Sequence, residues 1–424
     1  MGKGGQGITA QPQELKFRGK KEQEVGSDNE ILIDGRWYDI ADFSKKHPGG
    51  KVITYYAGQN ASEAYHEFHN RSKTAARYLK NLKSREAGPS APKGDGLVSD
   101  FNKLRDELEK EGFFKPSLIH VAFRLAEIIG MHALGFWMIV GAGWVIPGLL
   151  MLGVVQGRCG WLMHEGGHYS LTGNIKVDRA LQIVLYGLGC GMSGAWWRNQ
   201  HNKHHATPQK LGYDVDLDTL PLLMFNTEVK NGKQKALVSP FWLKLQAWCF
   251  IPITCLMVAM GWQLYLHPRH AMRTKNYSEL VCMALRYAVL GLFCSMYGPV
   301  ALGAYVLYVW VGGTYIFLNF AVSHTHLPVV PAEDRSVDWV RYAAHHTMNV
   351  DQSWWCDWWM SFLNFQIEHH LFPSMPQFRH PKVSPRVRAV FAKHGVEYVS
   401  MSYWRALRVT FANLDKVGRD VFLG

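Results

Sequence analysis

The sequence predicts a small α+β domain followed by an all-α domain that crosses a membrane several times. A short β-prone segment with a tight turn lies within residues 30–86, and a Gly- and Pro-rich linker follows at 87–96. Long apolar stretches separated by polar loops then fill residues 97–424. The chain is 48% hydrophobic and carries 16 tryptophans beside 19% charged residues, a mixture typical of a soluble part joined to membrane spans.

Charge and cysteine usage exclude several classes of protein. The net charge is +12, but the basic residues are scattered and form no arm, which argues against nucleic acid and leaves a membrane surface or an anionic substrate. The 7 cysteines form no C-x-x-C pair, which favours packing roles over a thiolate metal site. Residues 1–29 are polar, so we predict a disordered segment, no signal peptide and a cytosolic N-terminus.

The first domain is predicted over residues 30–86. Its β-prone run Ile31-Leu32-Ile33 turns at Asp34-Gly35 into Trp37-Tyr38, which is typical of a hairpin. The composition of residues 87–96 indicates a linker. A charged amphipathic helix is expected over residues 101–114, ending before Lys115-Pro116.

The membrane topology follows from the apolar stretches and the charges between them. A spanning helix needs about 20 apolar residues, and loops rich in Lys and Arg stay in the cytosol. The loop at 267–275 is basic, whereas those at 141–148 and 296–301 carry no charge. We therefore expect four spans in two hairpins, 118–163 and 280–322. The stretches 180–197 and 241–266 are expected to lie on the membrane or dip into it.

Two histidines in the first domain indicate a haem site. The motif His47-Pro48-Gly49-Gly50 allows a tight turn beside a flat macrocycle, and His69 follows in a Glu-, Ala- and Tyr-containing segment. Two imidazoles that hold haem iron from opposite sides leave no position for oxygen, so such a centre carries electrons. With these motifs, residues 30–86 closely resemble cytochrome b5. The resemblance implies haem b with His47 and His69 as axial ligands; His66 is the alternative to His69.

Three histidine clusters follow in the second domain. Spacings of i, i+3 and i+4 place imidazoles on one helical face, so each cluster offers two or three nitrogens to one point. A single such pair is usually structural, but three clusters beside membrane segments are hard to explain as packing, since each imidazole needs a partner. The clusters are His164-Glu-Gly-Gly-His168, His201-Asn-Lys-His204-His205 and Gln366-Ile-Glu-His369-His370.

The expected metal is iron. Thiolate ligands are absent from these clusters, which argues against an iron–sulfur cluster or a Cys-rich zinc site. Chemistry in an apolar membrane that draws electrons from a haem implies activation of dioxygen, and the number of histidines points to two ions. Ser323-His324-Thr325-His326, after the last apolar stretch, offers further ligands.

The order of motifs resembles that of the front-end fatty-acid desaturases from about residue 30 onward. These membrane enzymes insert a double bond between an existing one and the carboxyl end of an acyl chain, and a glutamine at the position of Gln366 is their hallmark. In related acyl desaturases an Asn lies four residues before the additional ligand, whereas Asn319 lies five before His324, so its role stays open. His326 is the alternative to His324, and Gln366 either ligates directly or orients a ligand. The resemblance implies a diiron centre held by His164, His168, His201, His204, His205, His324, His369 and His370, with Gln366 beside them.

Other residues have two interpretations each. Asp214, Asp216 and Asp218 either form a solvated acidic loop or orient ligand imidazoles. Glu165 and Glu368 point off the ligand face by spacing. Four tryptophans, Trp354, Trp355, Trp358 and Trp359, form an interfacial aromatic belt or line an acyl tunnel. Arg198 and Lys203 form a cytosolic basic rim or meet a phosphate-bearing head group.

The resemblance implies an oxygen-dependent desaturase in the endoplasmic reticulum membrane, with its N-terminus and active site in the cytosol. Electrons would pass from NADH through cytochrome b5 reductase to the haem and then to the diiron site. The stretches 160–174 and 202–210 are most similar to algal and thraustochytrid enzymes, which favours a Δ5 bond in C20 chains over a Δ6 bond. The acyl carrier, coenzyme A or a phospholipid, stays open. Alternatives are a sphingolipid long-chain-base desaturase or hydroxylase and, remotely, a haem electron carrier, which would not need the three clusters.

Overall fold

The N-terminal domain is a three-stranded antiparallel sheet with short helices packed on it. The computed structural model describes residues 24, 26–217, 219–228, 239–334 and 336–423, so most of the segment expected to be disordered lies outside the described residues. The strands are β1 (Glu30–Ile33), β2 (Arg36–Asp39) and β3 (Ser84–Glu86), in that order across the sheet. Asp34 and Gly35 both have positive φ, as a tight two-residue hairpin requires. Helices α1 (Ser62–His69) and α2 (Lys73–Asn81) complete the domain.

The next helix, α3 (Gly96–Lys110), begins five residues earlier than the sequence predicts and ends four earlier. The Asp95 side chain accepts hydrogen bonds from the amides of Leu97 and Val98, and such a cap fixes the start of a helix. Ala91, within the segment expected to be a linker, is buried against Leu32 and Trp37 of the N-terminal domain. That segment therefore packs along the domain.

The described part of the membrane domain contains five helices long and apolar enough to cross a membrane, one more than the sequence predicts. The additional one is a continuous helical stretch, Gln246–Arg273, which includes the basic residues that the sequence analysis placed in a loop. The other four match the two expected hairpins. The five are Leu118–Gly141, Val145–Gly167, Gln246–Arg273, Tyr277–Tyr297 and Pro299–Ala321.

The remaining helices cluster at one end of the spans. We label the spans and these helices in chain order: α4 (Leu118–Phe136), α5 (Val145–Gly167), α6 (Ile175–Gln182), α7 (Gly194–Ala206), α8 (Pro240–Lys244), α9 (Gln246–Cys249), α10 (Cys255–Gly261), α11 (His267–Arg273), α12 (Tyr277–Tyr297), α13 (Pro299–Ala321), α14 (Trp339–His346), α15 (Trp354–Trp359), α16 (Gln366–Leu371), α17 (His380–Lys393) and α18 (Tyr403–Leu423). The short parallel strands β4 (Asn349–Val350) and β5 (Ser400–Met401) join the α14–α15 loop to the segment before α18.

The N-terminal domain and the end of the membrane domain share one hydrophobic core. Val52 and Tyr56 of the first domain lie in the same buried cluster as Phe101 of α3 and Phe372, which directly follows α16. Burial of apolar surface is the main favourable term in packing, at roughly 25 cal/mol per Å². The two domains are therefore held together by a continuous core.

Candidate metal centre and haem site

His47 and His69 face each other across a gap suited to a haem. Their ring centroids lie 6.2 Å apart, and an ion midway between two imidazole nitrogens at about 2 Å from each would separate the centroids by roughly that much. The Nδ1 of His47 bonds to the carbonyl of Gly50 at 3.0 Å, and that of His69 to the carbonyl of Tyr65 at 2.9 Å. These bonds leave both Nε2 atoms free for a metal, since the bonded nitrogen fixes the tautomer.

Burial keeps both imidazoles neutral. It lowers the pKa of His47 and lowers that of His69 to about 4, and the neutral ring is the form that binds metal. The alternative ligand, His66, instead bonds through Nε2 to the Asp34 carboxylate at 3.0 Å. This contact turns His66 away from the gap, so the geometry favours His69.

The first and second histidine clusters meet at the ends of α5 and α7. The long helix α5 carries His164 on its last turn, and His168 follows directly. Helix α7 is capped by Ser193, whose hydroxyl accepts from the Trp196 amide at 3.1 Å, and it carries His201. The ligand atoms of four histidines lie within 4.8 Å of one another, and all four are buried: His164, His168, His201 and His369.

A second group lies beside the first. His204, His324 and His370 have ligand atoms within 4.8 Å of one another. His324 belongs to this second group because the chain turns directly after α13. The Nδ1 atom of His324 lies 3.3 Å from the carbonyl oxygen of His346. Helix α16 supplies one histidine to each group, His369 to the first and His370 to the second. The three clusters therefore converge as two adjacent groups.

His205 joins the two groups. Its Nε2 lies 3.0 Å from the Nε2 atoms of both His201 and His369, and its ring stacks on that of His370. Within the described residues, several ring nitrogens here are buried without a hydrogen-bond partner, namely His168 Nε2, His205 Nδ1, His369 Nδ1, and His370 Nδ1 and Nε2. Unpartnered buried nitrogens are costly, and metal ligation would satisfy His168 Nε2 and one nitrogen of His370, since an imidazole binds an ion through a single nitrogen.

The donor set suits iron. The described ligand atoms of the two groups are imidazole nitrogens, which bind iron, copper, zinc and nickel. Burial lowers the pKa values of His168 and His324 to about 3, so these rings are neutral and ready to ligate. An all-imidazole pair of sites next to a haem domain fits a redox-active metal, iron or copper, better than zinc, which has no redox chemistry.

Comparison with known proteins identifies the family. Residues 121–402 match the fatty acid desaturase model, and residues 12–87 match the cytochrome b5-like heme/steroid binding domain. This chain belongs to the fatty acid desaturase family. An acyl-lipid (8-3)-desaturase of Rebecca salina is 57% identical over 390 residues, covering 92% of this chain and 91% of the relative. One of Thraustochytrium sp is 45% identical over 442 residues, covering 99% and 98%, and the mouse fatty acid desaturase 2-like protein FADS2B is 30% identical over 411, covering 92% and 82%.

The chain is thus a front-end acyl-lipid desaturase, an oxidoreductase of lipid metabolism with a cytochrome b5 domain at its N-terminus. Its b5 domain implies haem and its desaturase domain implies iron. The membrane association and the acyl substrate predicted from the sequence are likewise supported by the family and by the membrane helices.

An acidic residue after the second cluster orients one desaturase histidine. Asp214 is buried and its carboxylate lies 2.9 Å from Nδ1 of His204, leaving Nε2 to face the metal group. Burial lowers the pKa of His204, but Asp214 and Asp216 raise it to about 9, so an ion bound at Nε2 would displace a proton from this ring. Asp216 is 3.4 Å away with its side chain 57% exposed. Of the two interpretations of this acidic run, orientation fits Asp214; Asp218 lies outside the described residues.

Two residues that the sequence analysis missed contact the first desaturase group. The side-chain amide nitrogen of Gln377 lies 2.9 Å from Nδ1 of His164. This contact orients the His164 ring toward the first group. His380 is fully buried, with both ring nitrogens unpartnered and its ring centroid 6.1 Å from that of His369. Neither carries a signal in the sequence, because both follow the third cluster by several residues and lie outside any i, i+4 pattern.

The remaining candidates lie around the groups. Gln366 is buried beside His324, and its side chain raises the pKa of His324 slightly against the larger effect of burial. His326 belongs to neither group. The Asn319 amide donates to the carbonyl of Tyr315 at 2.6 Å. The two glutamates of the clusters, Glu165 and Glu368, point away from the histidine groups, as the spacing predicts. Glu368 accepts hydrogen bonds from Asn349 and Tyr398, and Glu165 accepts one from the backbone amide of Gln377.

The tryptophans and basic residues of the desaturase domain do not share one environment. Trp354 is 85% exposed at the surface, whereas Trp359 packs on Tyr315 with ring centroids 4.2 Å apart. Arg198 is held by the Gln182 side chain, and Lys203 donates to Gln200 at 3.3 Å. The basic pair is thus engaged in local hydrogen bonds.

The position of the two histidine groups bears on how the extra apolar helix, Gln246–Arg273, runs. Ligand atoms of His204 and His324 lie together, so the chain between them crosses the membrane an even number of times. Helices α12 and α13 supply two crossings. The ends of Gln246–Arg273 both contact elements near the groups: Gln246 bonds to Met224 and Leu414, and His267 Nδ1 accepts from the Ser193 amide at 2.8 Å. Four spans, with this helix lying on the membrane or dipping into it, stay a prediction, because five described helices are long and apolar enough to cross.

Proposed function

We propose that this chain inserts a cis Δ5 double bond into C20 polyunsaturated acyl chains, using a diiron centre. The observation that carries the proposal is the pair of adjacent imidazole groups joined by His205, next to a bis-histidine haem site. Two relatives named acyl-lipid (8-3)-desaturases support the position. We interpret that designation as a bond three carbons to the carboxyl side of a Δ8 bond, which is Δ5.

The residues that would hold the cofactors are those that the sequence predicts. His47 and His69 would bind haem b; His164, His168, His201, His205 and His369 would hold one iron, and His204, His324 and His370 the other, with Gln366 orienting His324. Iron with dioxygen supplies an oxidant strong enough for an unactivated C–H bond, which side-chain acid–base chemistry cannot break. We assign residues 30–86 to the haem domain, 87–96 to the connection and 97–424 to the desaturase domain.

The protein's own contribution is to hold the acyl chain and exclude water. Trp161, Tyr315 and Leu363 form a buried cluster with Phe320 packed against it, and the Phe320 ring lies 6.3 Å from that of His164. This apolar wall on the membrane side suits a hydrocarbon chain and keeps solvent from the reacting carbons. Fixing one pair of carbons beside the metal group selects the bond.

The electron balance defines the partners. Removing two hydrogens from the acyl chain gives two electrons, and a reductase supplies two more through the haem, so one dioxygen becomes two waters. We propose NADH-cytochrome b5 reductase as that donor and the endoplasmic reticulum as the membrane, with the N-terminus and both histidine groups on the cytosolic side. The acyl carrier is a coenzyme A ester or a phospholipid.

Product analysis tests the proposal. Yeast expressing the chain is fed matched C18 and C20 polyenoic acids, and double bonds are located by gas chromatography with mass spectrometry. We expect new Δ5 bonds in C20 chains only. Δ6 products from C18 chains would show that the enzyme introduces a Δ6 and not a Δ5 bond. Altered sphingoid bases would show that the substrate is a sphingolipid. A culture with no new lipid would contradict desaturation.

A further inference from the structure

The haem-ligand segment around His47 contacts the helix that carries the second histidine cluster. Gly50, whose carbonyl holds Nδ1 of His47, lies so close to α7 that a Cβ on it would be 3.4 Å from the Asn199 side chain. Its φ of +74° also favours glycine. The hydroxyl of Tyr56, a residue only 4% exposed, donates to the carbonyl of Ala206 at 2.9 Å. Ala206 directly follows His205.

The second haem-ligand segment contacts the chain that follows the third cluster. Asn70 comes directly after His69, and its amide donates to the hydroxyl of Ser374 at 3.1 Å. The guanidinium of Arg71 bonds to the carbonyls of Phe114 and Ser374. Ser374 lies four residues after His370. Both sides of the haem gap are thus hydrogen-bonded to segments that hold metal-ligand candidates.

Contacts away from the haem gap fix the same arrangement. Glu67 is buried and accepts from Arg105 of α3 at 2.7 Å. Phe68 packs edge-on against Trp339 with centroids 5.4 Å apart, and the Gln59 side chain accepts from the Val337 amide at 2.7 Å. Together with the shared hydrophobic core, these contacts form an extensive interface between the b5 domain and the desaturase domain. A b5 domain that moved freely on its linker would not need such an interface.

We propose that Tyr56 and Asn70 are positioning residues that hold the haem at a fixed place beside the metal groups, so that electrons cross without release of the b5 domain. The proposal rests on the proposed function. With haem held by His47 and His69, each transfer would oxidise the haem iron from ferrous to ferric and reduce one ion held by the histidine groups from ferric to ferrous, so two transfers would supply the two external electrons of each turnover. Preorganised sites of this kind are sensitive to small displacements.

The first test uses the full chain, loaded with haem and iron in nanodiscs. The haem is reduced photochemically and its reoxidation by dioxygen is followed at the Soret band, with and without acyl substrate. In Tyr56→Phe/Asn70→Ala we expect substrate-dependent reoxidation to slow by about tenfold or more, with an unchanged bis-imidazole spectrum and iron content. Tyr38→Phe and Asn29→Ala, which remove the same groups elsewhere on the domain, should match the wild type. A double variant with the wild-type rate would overturn the proposal.

The second test locks the interface. Asn70→Cys/Ser374→Cys is bridged by a short bifunctional thiol reagent, with Asn29→Cys/Ser374→Cys as the control that should not bridge. We expect efficient bridging and a reoxidation rate like that of the unbridged protein. Failure to bridge, or bridged protein that no longer transfers electrons, would overturn the proposal. If Asn70→Cys/Ser374→Cys bridges but the reoxidation of the wild-type haem never depends on acyl substrate and no product forms, the proposed function fails while the docked arrangement stands.

Discussion

His205 stacks on His370 with ring centroids 4.1 Å apart and an interplanar angle of 15°. His205 lies on α7 and His370 on α16, so this contact joins segments separated by more than a hundred residues. Because Nε2 of His205 also approaches His201 and His369, a change here affects both groups of the candidate diiron centre.

Loss of His205, His370 or His201 should abolish desaturation. Each alanine variant removes a nitrogen that the buried groups need, so bound iron measured by elemental analysis should fall while the haem spectrum stays intact. His394→Ala is the matched control, since His394 follows α17 and contacts Asp100 of α3, away from both histidine groups. Substantial residual product in one of the three variants would remove that residue from the ligand set.

Asp214→Asn should weaken the metal centre without changing its ligands. A carboxylate that orients a ligand imidazole contributes roughly 10- to 100-fold in metal affinity or activity, and Asp214 is the buried partner of His204. Asp216→Asn, at a more distant and exposed carboxylate, should have a much smaller effect. Iron titration of both variants measures the difference; equal losses would contradict the assigned roles.

The axial histidines should be required even in cells that contain separate cytochrome b5. His47→Ala and His69→Ala are expected to lose haem and nearly all activity, because a docked donor is present at a high effective concentration that free donor cannot match. The iron site should survive. His66→Ala should keep its haem, since His66 contacts Asp34 instead. The absorption spectra of the variants report whether haem is bound. If only His66→Ala loses its haem, His66 and not His69 is the second axial ligand.

We expect labelling to place both ends of the helix Gln246–Arg273 in the cytosol. Tags at residues 144 and 298 should report the lumen, and tags at 210, 276 and 375 the cytosol, because α4–α5 and α12–α13 are the crossing pairs. Glycosylation or cysteine labelling in microsomes measures this. A luminal signal at 276 would mean that Gln246–Arg273 spans the membrane and would contradict the four predicted spans.

Arg105→Met should destabilise the docked b5 domain more than the double variant Arg105→Met/Glu67→Met does. Removing one partner of a buried ion pair costs about 3 kcal/mol or more, because the other charge is left uncompensated, and Glu67 is fully buried beside Arg105. Arg105→Met/Glu67→Met should recover most of the loss. Thermal unfolding followed through the haem band gives the comparison. Equal melting temperatures for the two variants would show that the pair contributes little.

The sequence by itself determined the features that depend on local spacing. Imidazoles three and four residues apart share a helical face wherever that helix packs, so the three clusters are visible without a structure. Four of the five candidate spans are visible for the same reason, since span length and hydropathy are properties of one segment. The start of α3 was misplaced because the cap at Asp95 precedes the amphipathic pattern.

Only the tertiary structure decided how these segments meet. His201 and His204 lie on one helix but enter different groups, because α5, α13 and α16 bring different partners to each. Gln377, His380 and the Tyr56–Ala206 bond have no sequence signal, and the haem domain packs into a shared core although its linker predicts a loose tether. Contacts between residues far apart in the chain arise from packing of whole elements, which no local pattern encodes.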